Sequence, residues 1–148
     1  MTTKYFKKAV QGEKIIFIVE DNEVYAKSLQ SYLQNRFTDI NEIKIFRIGE
    51  MCLMELDRNP DIVIMDYFLN TKYEDAHSGL DIIKRIKTQK PQTNIIMLSM
   101  QKNISVILEA IKCYDCIYVQ KDLDAFMKIE QTIKDIYNTE STSPEPWN

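Results

Sequence analysis

Four short runs of near-continuous apolar residues punctuate the chain: KIIFIV (14–19), DIVIM (61–65), NIIML (94–98) and CIYV (116–119). A strand with one face in water alternates apolar with polar, so unbroken Ile, Val, Met and Phe marks strands covered on both faces, as in a parallel sheet. A fifth run, IKIFRI (43–48), mixes Lys44 and Arg47 into the apolar residues and suits a sheet edge. Between the runs, apolar residues recur at helical spacing. Tyr25, Leu29, Tyr32 and Leu33 share a face behind Asn22, a good N-cap. Leu80, Ile83 and Ile86 make a second face, and Ile104, Ile107, Leu108 and Ile111 a third. Leu123, Phe126, Ile133 and Tyr137 make the last, behind Asp122 as N-cap, and a shorter helix over 51–56 follows Gly49. Pro60 and Pro91 stand just before strands, where a helix must already have ended. Five strands alternating with five helices, joined by right-handed crossovers, predict a doubly wound α/β domain: a five-stranded parallel sheet between two helical layers.

The remaining composition narrows the function classes. At 148 residues the chain is one domain's length, and a net charge of -3 gives no basic face for direct nucleic-acid binding. It contains no apolar run of the roughly 18 residues that a membrane span requires. Residues 1–13 are polar and basic without an apolar core, and three cysteines make an odd number, so the expectation is a reduced, cytoplasmic protein. The expected organisation is an N-terminal arm over 1–12, one domain over 13–138, and a polar, Pro-containing tail or linker start over 139–148. The polar loop 70–79 is long enough to suggest a functional role.

In such a sheet, with flavodoxin-like strand order 2-1-3-4-5, ligands collect at the carboxyl ends of the strands beside the point where strand order reverses. Strand one ends in Glu20-Asp21, strand three in Asp66, strand four in Ser99 and strand five in Lys121. Alone, each reads as a helix cap, a turn residue or a solvated surface charge. At successive strand ends they place three carboxylates, a hydroxyl and an ammonium in one pocket. Adjacent carboxylates repel unless a cation lies between them, and an all-oxygen ligand set suits a hard divalent ion, Mg²⁺ or Mn²⁺.

With these residues in place, the sequence resembles the receiver domain of two-component response regulators, over about 13–138. The resemblance rests on FIVEDN, DIVIMDYFL, SGLDIIKRIK, IIMLSM and YVQKD, in order and on the expected elements. It implies that Asp66 accepts a phosphoryl group from a sensor histidine kinase or a histidine phosphotransfer protein. It implies a metal held by Asp21, Asp66 and the backbone carbonyl of Phe68, with Glu20 acting through a water. It implies that Ser99 and Lys121 bind the phosphoryl group and that Tyr118 is the aromatic that changes rotamer on activation. Output would pass to a partner or an effector domain, and a homodimer through helix four, strand five and helix five is one expected form. The chain would then be a switch, not an enzyme. Asn70, Asp122, Met100 and the late Gly79 depart from the family's usual pattern. Phe68, Met100 and Gln101 flank the approach to Asp66 and are expected to gate water there. Val106 and Ala110 could widen the fourth helix's output face.

Competing classes fit less well. A pseudo-receiver that serves only as a binding module would not need all of Glu20, Asp21, Asp66, Ser99 and Lys121. A phosphatase of the haloacid-dehalogenase type needs Asp-x-Asp at its nucleophile, whereas Tyr67 and Phe68 follow Asp66. A flavin carrier would want a Ser/Thr-rich phosphate loop where Glu20 and Asp21 stand. Cys113-x-x-Cys116 lacks the second ligand pair that zinc requires and reads as two structural thiols, and the single histidine, His77, reads as a surface residue.

Overall fold

The computed structural model describes residues 12–67, 79–100 and 104–141. Among these, five strands alternate with five helices: β1 (Ile15–Val19), α1 (Glu23–Arg36), β2 (Glu42–Phe46), α2 (Gly49–Leu53), β3 (Ile62–Asp66), α3 (Gly79–Gln89), β4 (Asn94–Ser99), α4 (Ile104–Tyr114), β5 (Ile117–Gln120) and α5 (Ala125–Ser141). The strands pair in parallel in the order β2-β1-β3-β4-β5. The apolar runs have the expected consequence, since every residue of β1 and β3 is buried.

Alternation along each strand divides the core into two layers. Phe17, Val19, Val63, Met65, Ile95 and Met97 face one side, against Cys52 of α2, Ile82, Ile83 and Ile86 of α3, and Ala110 of α4. Ile16, Ile18, Ile62, Ile64, Ile96 and Leu98 face the other, against Ala26, Leu29 and Leu33 of α1 and Ile129, Ile133 and Ile136 of α5. The mixed strand β2 is indeed an edge, and its polar residues are engaged: Lys44 pairs with Glu55 at 2.7 Å, and Glu42 pairs with Arg58. Opposite the carboxyl ends, Asp61 ties the sheet to α5, its Oδ2 accepting from the Ile15 amide (3.1 Å) and the Tyr137 hydroxyl (3.2 Å).

Four local expectations need correction. The helix expected over 51–56 starts at Gly49 itself and ends at Leu53, with a 3₁₀ turn over Leu56–Arg58 closed by Asn59 in the left-handed region (φ 58°). Glycine suits this helix start because a Cβ there would lie 2.7 Å from Ile82 Cγ1. On α4 the inward residue is the small Ala110, while Leu108 and Ile111 are exposed, so Ala110 belongs to the core and not to an outer face. Leu123 is fully exposed, in a turn before α5 that Asp122 closes by accepting the Asp124 amide at 2.9 Å. Finally, α5 continues to Ser141, past the change to polar sequence at 138, because a solvent-facing helix end needs no apolar residues.

Candidate functional site

The chain leaves β1 at Val19, and Glu20 extends the pairing by one step, its amide donating to the Phe46 carbonyl at 2.9 Å. This turns the Glu20 side chain inward, where it is 2% exposed and its Oε2 accepts the Asn22 amide at 3.1 Å. Asn22 in turn caps α1 by accepting the Tyr25 amide at 2.9 Å, as its sequence position suggested. Asp21, between them, is half-buried. Asp66 is the last residue of β3 and is 4% exposed. Glu20, Asp21 and Asp66 each offer a carboxylate oxygen, and these lie within 4.8 Å of one another.

Lys121 follows β5 and reaches back across β4 into this cluster. Its Nζ is 2.7 Å from Glu20 Oε1, 3.4 Å from Asp66 Oδ2 and 4.3 Å from the centroid of the Tyr25 ring. Ser99, the last residue of β4, is fully buried. Its carbonyl oxygen accepts both the Lys121 amide (3.0 Å) and the Tyr118 hydroxyl (3.2 Å).

The electrostatics follow from two buried acids, Glu20 and Asp66, a half-buried one, Asp21, and one ammonium drawn together. Burial pushes the Glu20 carboxyl up to about 7, the charge of Asp66 adds to that, and the hydrogen bond from Lys121 works against it. Burial alone would lower the Lys121 ammonium, but its hydrogen bond to Glu20 and the charges of Asp66 and Glu20 outweigh this and raise it. Burial raises the Tyr25 phenol, opposed by Lys121 and reinforced by Glu20 and Asp66. Among the described residues one ammonium does not balance three carboxylates, and the surplus of negative oxygen donors fits a hard divalent cation that keeps part of its water shell. The chemistry of this donor set thus suits Mg²⁺ or Mn²⁺, with Glu20, Asp21 and Asp66 as its holders.

The structure therefore brings Glu20, Asp21, Asp66 and Lys121 into one cluster and joins Ser99 and Tyr118 to it through a shared carbonyl. Met100, next along from Ser99, is 68% exposed. Phe68, Gln101, Val106's side chain, His77 and most of the 70–79 loop lie outside the described residues. Cys113 is exposed and Cys116 buried, both free, near the end of the sheet away from the acids. Gly79 has a role that spacing alone did not reveal: a Cβ there would stand 2.7 Å from the Tyr67 ring and 3.1 Å from its carbonyl oxygen, so glycine lets α3 start against the residue that follows Asp66. Tyr25 was legible only as a helix-face residue. The available signal was its place in the first turn of a helix capped next to an acid pair, which aims it back at the strand ends.

The model for the response regulator receiver domain matches residues 16–134. Solved structures share the fold. A CheY-like response regulator receiver domain protein from Methanospirillum hungatei JF-1 superposes with a TM-score of 0.74 at 16% identity, over 89% of this chain and 99% of that one. The signal receiver domain of an HD domain-containing protein from Pseudomonas fluorescens Pf-5 gives 0.72 at 21% identity, over 88% and 99%. The response regulator protein TrrA from Thermotoga maritima, solved in complex with Mg²⁺-BeF, gives 0.67 at 24% identity, over 83% and 98%. Among curated proteins none matches the sequence.

Proposed function

The chain belongs to the response regulator receiver family of two-component systems, and from that premise we propose that it is a phosphorylatable switch whose acceptor is Asp66. The observation that carries this reading is the convergence of Glu20, Asp21 and Asp66 within 4.8 Å with the Lys121 ammonium against two of them.

A carboxylate Oδ of Asp66 attacks the phosphorus of a phosphohistidine on a sensor kinase or phosphotransfer protein. The P–O bond forms as the P–N bond breaks, and the imidazole leaves. A divalent cation held by the three acids, when bound, neutralises charge on the transferring oxygens. The family resemblance implies that the Phe68 carbonyl would complete its ligand set, and a protein of the same fold, TrrA, is solved in complex with Mg²⁺-BeF. Lys121 supplies a second positive charge, and the buried Ser99 hydroxyl stands one strand over to take a phosphoryl oxygen. The relay is taken as cytoplasmic, and among the described residues no helix is long and apolar enough to cross a membrane. Output runs through α4, β5 and α5, to a partner, an effector domain or a second copy of the chain, and the protein changes state without turning over a substrate of its own.

The test is incubation with phosphoramidate or acetyl phosphate and Mg²⁺, read by intact mass. One phosphoryl adduct is expected on the wild type and none on Asp66→Asn. An Asp66→Asn protein that gains the full adduct overturns the assignment. A wild type that gains none places the chain among non-phosphorylated receivers that act only by binding.

A further inference from the structure

Lys121 is held on three sides. Its ammonium meets Glu20 Oε1 at 2.7 Å, Asp66 Oδ2 at 3.4 Å and the face of the Tyr25 ring at 4.3 Å. Two of these contacts are with carboxylates that the site would share with a cation and a phosphoryl group. The third is neutral and belongs to neither.

The Tyr25 ring is fixed from behind. Phe126 of α5 meets it edge-on with centroids 5.4 Å apart, Tyr32 lies 5.4 Å beyond Phe126, and the Tyr32 hydroxyl donates to Glu130 at 2.6 Å. A row of three aromatic rings thus runs along the α1/α5 seam and ends at the lysine. The Tyr25 hydroxyl, by contrast, is buried and makes no hydrogen bond among the described residues. A buried hydroxyl without a partner lowers stability, so it gives no reason for tyrosine here beyond what phenylalanine would offer. The useful part of the side chain is its π face, whose negative quadrupole attracts an ammonium most strongly where water is excluded.

We propose that Tyr25 is a positioning residue for Lys121. Its ring keeps the ammonium at the acid cluster when Glu20 and Asp66 commit their oxygens to a metal and, on Asp66, to a phosphoryl group. The inference rests on the reading of Asp66 as acceptor. Charge that the carboxylates share with a divalent ion is withdrawn from Lys121, whereas the attraction of the ring is not drawn upon. Without the ring, a long and freely rotating side chain would swing toward solvent at the moment its charge is needed.

A double-mutant cycle decides it. Tyr25→Met fills similar volume without a π face, Tyr25→Phe keeps the face and drops the hydroxyl, and each is made with Lys121 and with Lys121→Met. In urea unfolding with saturating Mg²⁺, Tyr25→Met should raise the unfolding constant about tenfold more in the Lys121 background than in the Lys121→Met background. Tyr25→Phe should be as stable as the wild type or more so. Phosphoryl uptake from phosphoramidate should be about tenfold slower in Tyr25→Met and within about twofold of wild type in Tyr25→Phe, at equal Mg²⁺ affinity. Additive unfolding effects overturn the proposal, because packing alone gives additivity. A Tyr25→Phe protein as slow as Tyr25→Met also overturns it, by moving the role to the hydroxyl. If Tyr25→Met does not fold, ring-fluorinated phenylalanine at 25 keeps the shape while depleting the face, and must show the same graded loss. A wild type that accepts no phosphoryl group while the cycle shows coupling refutes the acceptor reading and leaves the contact standing. A wild type that is phosphorylated with an additive cycle does the reverse.

Discussion

Replacing Asp66 by Asn should leave the metal-free protein at least as stable and abolish the stabilisation that Mg²⁺ confers. At an effective dielectric of about 20, two unit charges 4.8 Å apart interact by about 3.5 kcal/mol. Asp66 faces two such neighbours, Glu20 and Asp21, so the repulsion approaches about 7 kcal/mol. Against it, the Lys121 ammonium at 3.4 Å returns about 5 kcal/mol. Asp21 is half in water and its share is screened, which leaves a net repulsion between about zero and about 2 kcal/mol on Asp66. Asparagine keeps the shape and removes the charge, so Asp66→Asn should be at least as stable as wild type in EDTA, gaining up to about 2 kcal/mol. Wild type should gain about 2.7 kcal/mol at a Mg²⁺ concentration one hundred times Kd, and the variant far less. Adding metal should therefore make the wild type the more stable of the two. The assay is urea denaturation in EDTA and in Mg²⁺ at pH 8, above the value of about 7 to which burial pushes Glu20, so that this acid carries its charge. Lys121→Met should move the other way, losing about 3–5 kcal/mol in EDTA because it leaves the acids unbalanced, and recovering part of the loss in Mg²⁺. An Asp66→Asn protein less stable than wild type in EDTA, or one that gains as much from Mg²⁺, would refute the charge balance drawn for the site.

Burial pushes the Cys52 and Cys116 thiols up to about 12, while Cys113 is exposed, so native alkylation should label Cys113 and spare the other two; early labelling of Cys52 would contradict this. Unfolded thiols ionise near about 8.5, so above that pH the folded state holds more protons than the unfolded one, and stability should fall by up to about 2.7 kcal/mol per pH unit until about 12. Cys52→Ala with Cys116→Ala should flatten this part of the alkaline profile, and an unchanged slope would show the thiols are not its source. Gly79→Ala should lose about 1–3 kcal/mol and slow phosphoryl uptake, since its Cβ meets both the ring and the carbonyl of Tyr67; wild-type uptake would mean that Tyr67 yields without moving Asp66. Met100→Ala should speed both phosphorylation and dephosphorylation if apolar bulk beside Ser99 restricts water, and an unchanged phosphoryl half-life removes Met100 as the gate.

The fold was legible because its strands are of an unusual kind. Residues such as Phe17, Ile18, Val63 and Ile64 are buried on whichever face they point to, and that requirement leaves a continuous apolar run which no amphipathic helix produces. The acids at the strand ends were legible for a related reason: a carboxylate directly after such a run has no packing role there. Helix faces were less legible, because apolar identity does not fix rotation. On α4, Ile107, Leu108 and Ile111 outline a stripe, but the residue fully buried in the core is Ala110, while Leu108 and Ile111 are exposed. Leu123 fits the periodicity of α5 yet lies outside the helix, since Asp122 caps a turn that comes first. Tyr25 could not be paired with Lys121 from sequence. The two are far apart along the chain and meet only because β5 is placed beyond β4 while α1 packs beneath α5.

That placement also bears on how a charge event at Asp66 would travel. The Ser99 carbonyl oxygen accepts the Lys121 amide at 3.0 Å and the Tyr118 hydroxyl at 3.2 Å. One atom thus joins the hydroxyl-bearing residue, the lysine and the aromatic. The Lys121 amide is fixed by the β4/β5 ladder, in which Ser99 faces Gln120, so this bond is the more constrained of the two. The Tyr118 bond hangs on a side chain that can turn about χ1. Burial raises the Tyr118 phenol, which therefore stays a neutral donor at physiological pH. If a phosphoryl oxygen on Asp66 draws the buried Ser99 hydroxyl inward, the carbonyl must move with it, and the tyrosine contact is the one that gives way. Tyr118 lies on the edge strand β5, beside an α4 whose Leu108 and Ile111 are exposed. A rearrangement of less than an ångström at Ser99 would then emerge on the α4–β5 surface as a rotamer change. A two-state side chain amplifies a small displacement in this way, where a continuously deformable core would absorb it.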